Sequence, residues 1–198
     1  MENGLQQDAR FIREVYRKAA VTGMLSILSV NISVFVDGIL VGQRVGADAL
    51  AAINLSMPLF WVLSMVGGFF AAGTEIPAAR AIGVGDARRR DAFFSTGLNA
   101  SVLVSLALTA LALAFRGPLM SFLCAEEAIR PYVSQYVTAA LIGALPRIVI
   151  YIPFWFLRLD GKNRDVCVMM IGLATVNIAL DVGFVYFLDM GLLGAGLA

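Results

Sequence analysis

The sequence predicts an all-α membrane protein, a multi-span helical bundle with about five complete transmembrane helices and the start of a sixth. Three observations predict it. Hydrophobic residues fill 60% of the 198 positions and charged residues only 15%, whereas soluble domains average about 45–50% apolar and about 25% charged. The apolar residues gather into stretches that can each cross a bilayer, for which roughly 20 residues suffice. Lysine and arginine are plentiful in every second connection and sparse in the others, as in a chain threaded repeatedly through a membrane.

The elements follow in order. Residues 1–18 form a polar N-terminal segment, expected on the cytoplasmic side. It mixes Asp8, Arg10, Arg13, Glu14, Arg17 and Lys18 with Phe11 and Val15. It is either a weakly amphipathic surface helix or a plain extension of the first span, and it stays polar too long for a cleaved signal. Residues 19–198 form the transmembrane bundle. Its spans are expected at about 19–41, 50–72, 92–115, 133–157 and 166–188, with another beginning near Leu192. The second is expected to end at Thr74-Glu75-Ile76-Pro77, and Gly83-Val84-Gly85-Asp86 reads as the turn before the third. Pro58, Pro146 and Pro153 lie inside spans and predict kinks. Gly67, Gly68, Gly73, Gly143 and Ala144 are small enough to let helices approach closely. The apolar helix opened by the last residues suggests a piece of a longer protein.

Orientation comes from the basic residues. Arg10, Arg13, Arg17 and Lys18, then Arg80, Arg88, Arg89 and Arg90, then Arg158, Lys162 and Arg164 share one side; Arg44, Arg116 and Arg130 share the other. The positive-inside rule places the N-terminus in the cytoplasm. Topology and anionic lipid account for Arg88-Arg89-Arg90, so no nucleic-acid partner is expected. Cys124 and Cys167 fit no metal or disulfide spacing and read as small apolar fillers. With no histidine present, any proton relay must use carboxylates. No Ser/His/Asp arrangement, nucleotide motif or His/Cys metal cluster appears, and the chain reads as a non-enzyme without a cofactor.

The candidate site is Asp37, Asn177 and Asp181. Asn177 and Asp181 stand four residues apart and share a helix face. Asp37 lies 18 residues beyond Ala19 and Asp181 lies 15 beyond Val166, roughly 27 Å and 22 Å from the inner boundary at 1.5 Å per residue. Ionisable groups inside a membrane are costly and usually functional. Two carboxylates at similar depth repel, so the pair would share a proton or hold a cation. Asn177 adds a carbonyl oxygen suited to Na⁺, making the three residues the metal site if the bound ion is sodium. Arg147, roughly 15 Å deep, needs a carboxylate, carbonyls or a watery cavity. With the neighbouring Pro146 it is the candidate lining of a substrate cavity.

In order and spacing the chain resembles the multidrug and toxic compound extrusion (MATE) family. The resemblance rests on Phe35-Val36-Asp37 with Val41-Gly42 and Gly46, on Ala49-Leu50-Ala51-Ala52 with Met57-Pro58, and on Ala81 to Asp86. It continues through Pro146, Leu157-Arg158 and Gly161, then Asn177 with Asp181, then Met190-Gly191 with Gly194-Ala195. It implies two six-helix lobes open alternately to either side. This chain would supply most of the N-terminal lobe and would need the C-terminal six-helix lobe as partner. It further implies a plasma-membrane antiporter using H⁺ or Na⁺, with Asp37, Asn177 and Asp181 as ion site and small, often cationic, drugs as substrates. Arg147 has no assigned place in the family pattern. It leaves open a lipid-linked precursor flippase of the same wider class. A membrane-embedded enzyme using the two aspartates as acid and base is the rival from another class.

Overall fold

A computed structural model describes residues 2–124 and 126–198, with side chains from Ile12 onward. The described residues contain no strand. The helices are α1 (Glu2–Arg44), α2 (Ala47–Gly83), α3 (Ala87–Ala114), α4 (Arg116–Leu123), α5 (Arg130–Ile142), α6 (Ala144–Val149), α7 (Tyr151–Leu159), α8 (Asn163–Asp181) and α9 (Gly191–Leu197). A π-helical stretch, Val182–Phe187, continues α8. Four helices are long and apolar enough to cross a membrane, and the bent series α5 to α7 makes a fifth. All five expected spans are therefore present, and α9 starts where the next was expected.

Three boundaries differ from the sequence reading. α1 runs unbroken past residue 18, so the polar segment extends the first span. α2 does not stop at Pro77 but continues to Gly83. α3 begins at Ala87, within the expected turn's flank. Apolar length locates the hydrocarbon-crossing part of a helix, and both helices continue beyond it into polar residues. The turn itself is as expected. Gly85 takes φ +75°, the left-handed region that glycine enters without a Cβ clash. Asp86 caps α3 by accepting a hydrogen bond from the Arg89 N–H at 2.9 Å, which satisfies one of the donors left free at a helix start.

The fourth span shows what its prolines do. Pro146 cannot donate to the Ile142 carbonyl, and Pro153 cannot donate to that of Val149. The helix breaks after each of these, at Gly143 and at Ile150. The axis bends by 56° between α5 and the α6–α7 arm. Pro58 produces no such break, for α2 is continuous across it. Pro146→Ala in the full-length protein restores one donor and is expected to straighten the arm. Spin labels at Gln135 and Arg158 should then separate by about 3–4 Å more, as rise per residue dictates; an unchanged distance would mean that packing alone holds the bend.

Two groupings make up the bundle. α1 lies along α8, while α2 packs on α3 and on the α5–α7 arm. One buried cluster joins Val41, Ala52, Met120, Val137 and Leu192. A second joins Ala71, Ala78, Ile152 and Phe156 toward the basic end, with Phe94 edge-on to Phe156 at 5.1 Å. Leu63, Ala144 and Ile148 fill the space between them. Close approach depends on Gly67, where an added Cβ would sit 2.6 Å from Tyr151 Cδ2 and 2.8 Å from the Ile148 carbonyl. Trp61, Met65 and Phe69 lie on the outer surface of α2, each at least two-thirds exposed, as apolar side chains do when lipid or another helical unit covers them. Cys124 and Cys167 are buried and unpaired.

Candidate functional site

The α1–α8 contact carries the site. Ser33 and Asp37 are one turn apart on α1, and Asn177 and Asp181 are one turn apart on α8. Each pair therefore shares a helix face, and the two faces meet. The Ser33 hydroxyl donates to Asn177 Oδ1. One turn further, the Asp37 and Asp181 carboxyls come within hydrogen-bonding reach of each other. Asp181 is 1% exposed, and Asp37 is half-buried. The structure thus brings together all three residues singled out in the sequence.

As carboxylates, neither aspartate has a donor. Asp37 Oδ1 and both Asp181 oxygens are buried with no hydrogen-bond partner among the described residues. Buried polar atoms normally have one, and a lone charge there is expensive. A proton shared between the carboxyls would supply the missing donor. A hard cation would satisfy the same oxygens. Asn177 Oδ1 already accepts from Ser33, but its second lone pair could still face a cation. The donor set therefore fits H⁺ or Na⁺ chemically. No group of three His, Cys, Asp or Glu side chains suited to a tightly held metal occurs among the described residues.

Local backbone also marks the place. The α-helical ladder of α8 ends at Asp181 and the π-helical turn begins at Val182. Such wider turns occur often at functional sites, because the extra residue re-aims the side chains beside it. The turn leads through Leu188 to α9, whose Gly194 packs tightly beneath Phe184.

Two residues that the sequence reading did not include lie near the candidate site. One is Ser33, described above. The other is Tyr136 of α5, half-buried and close enough to Asp37, Asp181 and Arg147 to feel their charges. Its ring lies 5.1 Å from that of Phe60. Counting back from Leu157 places Tyr136 roughly 30 Å from the inner boundary if the span were straight, near the depth of Asp37, and that signal could have found it. The Arg147 guanidinium carbon stands 4.7 Å over the Phe60 ring. Arg147 and Pro146 are both exposed on the bundle surface, and Arg147 is not part of the carboxyl pair.

Comparison with known proteins gives the family. The MatE family profile matches residues 23–182. An FAD transporter from Shewanella oneidensis is 28% identical over 159 residues, covering 80% of this chain and 34% of that protein. The multidrug export protein MepA from Staphylococcus haemolyticus is 24% identical over 177 residues, covering 89% of this chain and 38% of the relative. Among solved structures, an outward-facing multidrug resistance MATE transporter of the MOP superfamily superposes with a TM-score of 0.84 at 25% identity. It covers 92% of this chain and 40% of that one. The chain spans little more than a third of the length of these curated relatives. The matched residues contain α8 to Asp181, the α1 turns that bear Ser33 and Asp37, and the bent arm with Tyr136 and Arg147. The chain belongs to the MatE family of membrane transporters, and corresponds to the N-terminal lobe of its members.

Proposed function

We propose that this lobe is part of a cation-coupled antiporter that exports small, often cationic, organic compounds across the plasma membrane by alternating access. Its basic end faces the cytoplasm. One observation carries the reading: two carboxyls from different helices face each other in a buried position with no donor between them. H⁺ or Na⁺ arriving from outside occupies the Asp37/Asn177/Asp181 site. Neutralisation removes the repulsion between the two carboxylates, and α1 shifts or bends against α8. The shift weakens substrate binding and releases the compound outward.

The magnitudes are adequate. Two like charges about 4 Å apart at an effective dielectric near 20 repel by about 4 kcal/mol. Reversing an equilibrium from 1:99 to 99:1 takes about 5.5 kcal/mol of differential binding. One neutralisation at this pair therefore supplies most of a full conformational switch, provided that the ion binds one conformation better than the other. The test is transport of a fluorescent cationic dye by the full-length protein in proteoliposomes. Dye movement should follow an imposed H⁺ or Na⁺ gradient and stop when that gradient is collapsed. Movement indifferent to both gradients would rule out coupling. Arg147 favours one second reading, flipping of a lipid-linked precursor with an anionic headgroup, which a reconstituted flipping assay would detect.

A further inference from the structure

Arg147 lies within the fourth span, and its closest described aromatic contact is tighter than those of Arg44 on Tyr186 and Arg89 on Phe93, both at 5.9 Å. Arg44 pairs with Asp189 at 3.3 Å, Arg90 with Asp160 at 3.3 Å, and Arg116 donates to the Ser134 and Thr138 hydroxyls. Among the described residues Arg147 has none of these. Its guanidinium lies on the face of Phe60, whose ring also meets that of Tyr136 at 5.1 Å. A cation at this depth requires an anion or a watery cavity. Stacking on aromatic faces leaves the planar fork of an arginine free to grip an oxyanion with two parallel bonds, which a lysine cannot do. Planar rings also offer stacking surface to a planar ligand.

We propose that Arg147, stacked on Phe60, binds the phosphate or carboxylate of a substrate whose body is a planar aromatic ring system. The proposal rests on the reading that this lobe lines a transport cavity, and it adds an anionic class to the expected cationic substrates.

The test compares two probes with the same ring system, riboflavin and riboflavin 5′-phosphate, binding to the purified full-length protein in detergent without any gradient. The phosphate form should bind about 10- to 100-fold more tightly, the range expected of hydrogen bonds to a charged group. Arg147→Gln should bring the ratio of the two dissociation constants to within about twofold of one. Arg147→Lys keeps the charge but not the fork, should give an intermediate ratio, and serves as the readout where the glutamine variant does not fold. Short-chain phosphatidylglycerol is the third probe. Arg147-dependent displacement of the flavin phosphate by it would identify a lipid headgroup as the source of the oxyanion, and no displacement would identify the soluble phosphate. Equal wild-type affinity for the two flavins with no Arg147-dependent lipid binding, or a ratio unchanged in both variants, overturns the proposal. Because binding is read without a gradient, loss of gradient-driven transport would remove the antiport reading and leave this result standing.

Discussion

Asp37→Asn and Asp181→Asn, made singly in the full-length protein, are each expected to reduce gradient-driven efflux by at least tenfold. A drop of that size corresponds to about 1.4 kcal/mol, well below the roughly 4 kcal/mol that a close like-charge pair can store. The two variants should behave alike. Removing either charge removes the repulsion, and the remaining carboxyl then lies beside a carboxamide that can donate to it. The conformational equilibrium settles where the neutralised pair would put it, and the ion no longer moves it. The double variant should be little worse than either single one, as is usual for groups that act as a unit. Dye efflux at wild-type rate in either single variant would remove that residue from the ion site. A full additive loss in the double variant would mean that the two act separately.

Gly67→Ala is expected to destabilise the bundle strongly. The new Cβ would meet the Ile148 carbonyl at 2.8 Å and Tyr151 Cδ2 at 2.6 Å. The tyrosine ring can rotate, but the carbonyl belongs to the backbone of α6, so α2 and the bent arm must move apart. Overpacking of this kind costs about 1–3 kcal/mol. Gly68→Ala is the matched control. It adds the same methyl one residue later, where nothing lies within 4 Å, and should be neutral or slightly stabilising because alanine favours a helix. Thermal unfolding of the purified full-length variants checks the pair. Equal midpoints would show that α2 does not approach the arm at Gly67. Because Ile148 adjoins Arg147, the Gly67 variant should also disturb the Arg147–Phe60 stack.

Much of this was legible in the sequence for a simple reason. A bilayer sets both the length and the polarity of a spanning helix, so apolar runs locate spans well. It also makes Asp37, Asn177 and Asp181 conspicuous, and the fixed rise per residue gave Asp37 and Asp181 matching depths before any fold was known. What was not legible depended on side-chain partners. Serines on apolar helices commonly bond the carbonyl four residues back, as Ser26 and Ser29 do. Nothing local distinguishes Ser33, whose hydroxyl reaches another helix instead. Tyr136 carries no such mark, because a tyrosine in an apolar run reads as packing. Its place depends on tertiary packing, since α5 seats against α2 and α9. The position of the 56° bend in the fourth span was predictable from Pro146, but its angle was not. The π-helical turn after Asp181 carries no sequence signal; in the fold Phe184 seats against Gly194 of α9. The helix ends were misplaced at Pro77 because proline disfavours a helix without forbidding one, and tertiary packing on α7 holds α2 together there.

Infrared difference spectroscopy on the carboxyl C=O stretch tests the central point most directly. Spectra of the full-length protein would be taken on acidification or Na⁺ addition, in wild type and in the two asparagine variants. A shared site gives one carboxyl band that responds to the ion and vanishes in both Asp37→Asn and Asp181→Asn. Two independent bands, each lost only in its own variant, would contradict it.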